Sequence, residues 1–183
     1  LLPIQYFHVV FTIPSELNHL VSMNRTVMYD LLFRSVSETL MELANDPKHL
    51  GARIGATGIL HTWGQNLMDH PHVHCIVTGG GLSPDGSRWV SSKKRFFIHV
   101  KVMSAVFSGK FLDHLKQSFK RGALVFPGSI CHLKEPGVFE TFRKRFYDKK
   151  WVVYCKLPFG GPEGVLQYLG RYTHRIAISN NRI

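Results

Sequence analysis

An α+β domain, with a central antiparallel sheet and helices packed against it, is what this sequence predicts. Three observations carry that prediction. Short β-rich apolar runs alternate with two long segments of helical period. Two of the runs flank a short polar turn, as antiparallel neighbours do. The 183 residues, 44% hydrophobic and 12% aromatic, suffice to bury the core of one domain spanning 1–183.

Tyr6 to Ile13 is β-rich and apolar and ends at Pro14, the mark of a buried first strand. Ser15 is placed to cap a short helix with Glu16 in its first turn. Thr26 to Ala44 carries Val27, Leu31, Leu32, Val36, Leu40 and Leu43 at helical spacing and stops at Asn45-Asp46-Pro47. Ala52 to Gln65 reads as a strand and His70 to Thr78 as its antiparallel partner, with a break expected at Gly79-Gly80-Gly81. Ser83-Pro84-Asp85-Gly86 is a turn signal before a short strand at Arg88 to Val90. Val102 to Phe119 is helical by period, Arg121 to Lys134 irregular, Glu140 to Tyr147 a short helix and Trp151 to Lys156 a strand. After Gly160-Gly161-Pro162 a last helix is expected from Glu163 to Thr173, with Arg175 to Ser179 as a closing strand.

Composition narrows the partners. Lys and Arg number 23 against 12 Asp and Glu, a net charge of +11. Clusters at Lys93-Lys94-Arg95, Lys116 to Arg121, Arg143-Lys144-Arg145 and Lys149-Lys150 are interleaved with Phe96, Phe97, Phe119, Phe142, Phe146, Tyr147 and Trp151. Charge that holds phosphates beside rings that stack on bases fits a single-strand nucleic-acid surface as well as it fits a solvated basic face. No apolar run approaches the ~18 residues of a membrane span. Three cysteines without C-x-x-C spacing argue against a disulfide framework and fit a reducing cytoplasm. The chain starts on Leu1 just ahead of a strand, and reads as a piece of a longer protein.

The chemistry is concentrated at His70-Pro71-His72-Val73-His74. Histidines two apart on a strand project from one face, placing two imidazole nitrogens as half of a divalent metal site. With Asn66 to Asp69 as a four-residue loop, Gln65 would pair with His70, Trp63 with His72 and His61 with His74. His61, Trp63, Gln65, His70, His72 and His74 would then share a face. Facing side chains lie about 5 Å apart, close enough for a third ligand. His61 is the better placed candidate, and Gln65 the alternative through its amide oxygen. Trp63 fits the core or a base-stacking platform.

Further along, Tyr168 and Tyr172 stand four apart on the expected last helix, so their phenols share a face. Gly170 between them costs helix stability, roughly 1 kcal/mol relative to Ala. Arg171 and Arg175 offer forked donors suited to phosphate oxygens. Tyrosine can attack phosphorus and hold the cleaved strand covalently, but with a pKa near 10 it needs an activated phosphate. A histidine-held divalent ion supplies such activation.

Together these motifs resemble the HUH single-strand endonucleases. The strings His8 to Asn18 (HVVFTIPSELN), His61 to Gly81 (HTWGQNLMDHPHVHCIVTGGG) and Tyr168 to Ile183 (YLGRYTHRIAISNNRI) are similar to two-tyrosine rolling-circle transposases of bacterial insertion sequences. The resemblance implies an HUH fold on a ferredoxin-like palm. It further implies that Tyr168 and Tyr172 are nucleophiles and that His72 and His74 bind Mg²⁺ or Mn²⁺. It also implies a 5′-phosphotyrosine intermediate with a free 3′-hydroxyl, made on the single-stranded transposon ends and target. Arg171, Arg175, Lys93, Lys94, Arg95 and Trp63 are the expected DNA contacts. Family members carry a zinc-binding module upstream and further sequence downstream, so this chain resembles the nuclease core. Two other readings stay open: a zinc hydrolase in which His61, His72 and His74 activate water, and a single-strand-binding module without chemistry.

Overall fold

The structure is a computed structural model and describes residues 2–63, 69–93, 97–159, 163–165 and 167. The strands are β1 (Tyr6–Thr12), β2 (Arg53–Trp63), β3 (Asp69–Leu82), β4 (Trp89–Ser91) and β5 (Val152–Phe159). The α-helices are α1 (Asn18–Met23), α2 (Arg25–Asn45), α3 (Val100–Lys120) and α4 (Pro136–Lys144). The sheet runs β2-β3-β1-β5 with antiparallel neighbours throughout, and β4 pairs with the end of β3 beyond the reach of β1. The expected α+β class, with its antiparallel sheet, is what is found.

The sheet separates two apolar clusters, because alternate residues of a strand point to opposite faces. Phe7, Val9 and Phe11 of β1 and Val73, Cys75 and Val77 of β3 face the helices and join the main core with Leu32, Val36, Leu40, Phe107 and Phe111. Trp151, at the entry to β5, meets Phe107 and Phe111 at 5.3 Å each and donates its indole N–H to the Phe146 carbonyl. Across the top of this layer Glu38 of α2 accepts from Arg34 and from His114 of α3, while Lys110 of α3 pairs with Glu42. The opposite face carries a smaller cluster of Tyr6, Ile76 and Val165.

Several boundaries differ from expectation. Ser15 does not cap a helix: Ser15–Leu17 is a 3₁₀ turn following Pro14, with no side-chain cap, and α1 begins at Asn18. Gly128–Lys134, expected irregular, includes a 3₁₀ helix, and the next helix starts at Pro136, four residues earlier than expected. Proline suits that first helical position because its missing N–H would be unpaired there anyway.

The larger correction is at Gly79-Gly80-Gly81, which continues β3 instead of ending it. The three glycines lie where other backbones crowd in. The Gly79 N–H donates to the Gln5 carbonyl at 2.8 Å, and Gly81 pairs with Ile54 on one side and Val90 on the other. Gly80 holds φ +153°, a region that favours glycine. A Cβ on Gly81 would stand 2.2 Å from the Arg53 carbonyl oxygen, which is backbone and cannot step aside. Gly81→Ala is therefore expected to lower stability by roughly 1–3 kcal/mol or more, read as a fall in the urea midpoint. An unchanged midpoint would mean that β2 and β3 are not clamped there.

Three sequence-level expectations about the surface also change. Phe97, Phe146 and Trp151, read as rings that could stack on bases, are buried in the core, and Phe119 stacks on Phe139 at 4.0 Å. Arg143 is buried and forked onto Glu140, with its other amino group on the Tyr147 hydroxyl. Lys149 pairs with Glu16 at 2.7 Å. These groups hold the fold together and are not a free phosphate-binding patch. Cys75, Cys131 and Cys155 are all free thiols, and no described helix is long and apolar enough to cross a membrane.

Candidate metal centre

His72 and His74 project from the β3 face opposite the core, beside His61 of β2 and His8 of β1. One nitrogen from each of His61, His72 and His74 lies within 4.8 Å of the other two. Two nitrogens roughly 2.1 Å from a common ion are at most about 4.2 Å apart, so small ring rotations close the set. His61, one of the two candidate third ligands, is thereby within reach of the same ion. Gln65, the alternative, lies outside the described residues.

His61, His72 and His74 share a face as expected, but the register is not the expected one. His61 pairs with His72, Ile59 with His74 and Trp63 with Asp69. The pairing shifts between His61 and Trp63, where Pro71 in β3 has no N–H to give the ladder. His61 nevertheless leans diagonally, with its ring centroid 4.6 Å from that of His74 and 5.4 Å from that of His72.

His72 and His74 each have Nδ1 engaged. Nδ1 of His72 bonds the His70 carbonyl, which can only accept, so Nδ1 carries the proton and Nε2 keeps its lone pair. Nδ1 of His74 lies 2.8 Å from Nε2 of His8, and both side chains are buried. Metal-ligating histidines are held in just this way, through the nitrogen that does not touch the ion. His70 supplies its carbonyl to the set.

Burial strips protons from these rings. Desolvation takes His74 down to about 3, with further lowering from His72, His61 and His8. Desolvation and the nearby Lys156 ammonium take His8 down to about 4, and desolvation also lowers His72. His72 and His74, held neutral at neutral pH, form with His61 a donor set that fits a divalent cation.

Residues 163–165 and 167 are helical, and Val165, 1% exposed, packs on Tyr6 and Ile76 of the histidine-bearing face. Tyr168, Arg171, Tyr172 and Arg175, expected to carry the chemistry and phosphate contacts, lie outside the described residues, as do Lys94 and Arg95. Lys93 is exposed and follows Ser92, which bonds Gly79 at the far end of β3. At ~3.4 Å per residue that is about 17 Å along the strand from His74, so Lys93 is not part of the cluster. Trp63 is 39% exposed at the end of β2. His8, Tyr154 and Lys156 were not singled out from the sequence. Tyr154 lies across β1 from His74 through their common partner Val10, and Lys156 is opposite His8.

The fold and site define a sheet-borne three-histidine centre with room for a divalent ion. A family model described as "Putative transposase" matches residues 55–183, and the chain belongs to that family. It is 51% identical over 183 residues to "Putative transposase y4qJ" of Sinorhizobium fredii, covering 100% of this chain and 46% of that protein. It is 30% identical over 176 residues to the "Transposase for insertion sequence element IS801" of Pseudomonas savastanoi pv. phaseolicola, covering 96% and 40%. The chain thus spans less than half the length of these curated relatives. Among solved structures it is similar to the conjugative relaxase TrwC in its metal-bound complex with oriT DNA. That likeness has a TM-score of 0.49 at 14% identity, over 97% of this chain and 61% of that one.

The lowered histidines set a pH dependence. Unfolded imidazoles titrate near 6.5, whereas folded His8 and His74 resist protonation down to about 4 and about 3. Between those values the unfolded chain binds more protons, so stability falls as pH drops below about 6.5 and carries no such penalty above it. The urea midpoint of the metal-free protein should decrease from about pH 7.5 to about pH 5. A flat profile across that interval would mean that these rings are solvated.

Proposed function

We propose that this chain is the nuclease core of a transposase that nicks and rejoins single-stranded DNA through phosphotyrosine, acting at transposon ends and their target. The observation that carries the reading is the His61, His72 and His74 cluster on the sheet face against which Val165, three residues before Tyr168, is seated. The family assignment and the Tyr168 and Tyr172 spacing agree with it.

In this reading His61, His72 and His74 hold Mg²⁺ or Mn²⁺, which would polarise the scissile phosphate. A tyrosine oxygen, from Tyr168 or Tyr172, forms a bond to phosphorus as the bond to the 3′-oxygen breaks. The phenolic proton is given up and the departing 3′-oxygen takes one, leaving a 5′-phosphotyrosine and a free 3′-hydroxyl. Attack by a 3′-hydroxyl reverses the step and joins a strand. A second tyrosine lets one protein hold a second strand end while the first is still attached. Arg171, Arg175 and the lysines near β4 contact phosphates. Tyr154, 56% exposed, and Lys156 extend the histidine face toward β5 and offer a ring and a charge to the strand.

An all-imidazole set binds Mn²⁺ more tightly than Mg²⁺, which prefers oxygen donors and keeps its waters. His74→Ala should weaken Mn²⁺ binding more than about 100-fold, beyond what loss of a supporting contact costs. Calorimetry showing unaltered binding would remove His74 from the ligand set.

The reaction is tested with labelled single-stranded oligonucleotides spanning the junction of element and flanking DNA, in Mn²⁺ or Mg²⁺. A protein–DNA adduct that survives denaturation is expected, retained in Tyr168→Phe or Tyr172→Phe and abolished in the double variant. Adduct persisting in the double variant would exclude the tyrosine mechanism. Strand cleavage without any adduct would favour the rival in which the three histidines hold zinc and activate water.

A further inference from the structure

We propose that His8 is a positioning residue for the metal centre: its Nε2 accepts the Nδ1 proton of His74 and so assigns Nε2 of His74 as the metal-binding atom. The inference rests on the reading of His74 as a ligand, and it concerns a residue on a different strand, 66 positions away in sequence.

The geometry is that of an in-plane hydrogen bond. The two rings are 5° from parallel with centroids 5.1 Å apart, and the Nε2···Nδ1 distance is 2.8 Å. Imidazole nitrogens sit roughly 1.1 Å from their ring centroid, and that length at each end added to the N···N distance accounts for the centroid separation. The rings are therefore coplanar and end to end, not face to face. The lone pair of one nitrogen lies in its ring plane and points straight at the other.

A neutral imidazole has one donor and one acceptor. If His8 donated, Nδ1 of His74 would be the acceptor and its Nε2 would carry the proton, leaving no lone pair for an ion. If His74 donates, its Nε2 carries the lone pair that a metal ligand needs. Only the second direction is compatible with the ligand role, and it gives His74 the same tautomer that the His70 carbonyl imposes on His72. The sheet supplies the rigidity, since β1 and β3 pair continuously from Tyr6 and Thr78 to Thr12 and His72.

The tautomer can be read directly. A long-range ¹H–¹⁵N correlation spectrum of the metal-free wild-type chain should show His74 protonated at Nδ1. In His8→Phe, which keeps a ring but no acceptor, His74 should shift toward the Nε2-protonated form, with Mn²⁺ affinity down about 10–100-fold. His8→Gln, whose amide oxygen can accept, should keep Mn²⁺ affinity within about 3-fold of wild type, which loss of packing alone would not allow. An Nε2-protonated His74 in the wild type would overturn the inference, and that measurement needs no variant. So would Mn²⁺ affinity in His8→Phe within about 2-fold of a wild type that binds the ion. A wild type that does not bind Mn²⁺ at all would instead remove the metal reading, and this inference with it.

Discussion

The parity of β3 is the constraint on which the rest of this structure depends. The strand is paired on both sides, by β1 and by β2, and its odd residues Val73, Cys75 and Val77 are buried in the main core. That burial leaves His72 and His74 no choice of face. A slip of one residue would drive two imidazoles in among phenylalanines and leucines and expose three apolar side chains. The site is thus held in register by hydrophobic packing on the side of the sheet it never touches. The glycines at the far end reinforce this, because Gly81 fits under the Arg53 carbonyl only where it is.

The same burial shapes the electrostatics. Desolvation disfavours imidazolium, so His8 and His74 stay neutral well below the pH at which free histidine would charge, and His72 is shifted in the same direction. Protons are the natural competitors of a metal for those lone pairs, and burial removes them from the contest. The cost of placing polar rings in such surroundings is offset by hydrogen bonding: His72 finds a backbone carbonyl and His74 finds His8. Low proton affinity and fixed ring orientation therefore have one structural origin.

What could be read from the sequence was what local periodicity determines. The H-x-H spacing placed His72 and His74 on one face, because parity is a property of a strand by itself, and the expected hairpin register added His61 to that face. The long helices were legible for the same reason. His8 was not, since nothing near it in sequence reveals that β1 will lie against β3, and a single histidine in an apolar strand looks like any half-buried residue. The basic and aromatic clusters misled for a related reason. Composition cannot say that Phe146 and Trp151 turn inward while Lys150 between them stays exposed, or that Arg143 is spent on Glu140.

The register of β2 against β3 shows why a wrong pairing still gave the right face. Near the glycines, Arg53 pairs with Leu82 and Ile54 with Gly81, the alignment that would have set His61 against His74. Between Ile54 and Ala56 the partner jumps from Gly81 to Val77, so four residues of β3 oppose two of β2. The two extra residues are an even number, so the faces are preserved while each partner moves by two. His61 therefore arrives opposite His72 and diagonal to His74. From there its ring centroid lies 5.4 Å from that of His72 and 4.6 Å from that of His74. An irregularity beside the glycines, far along the strand, thus decides which histidine His61 faces at the other end.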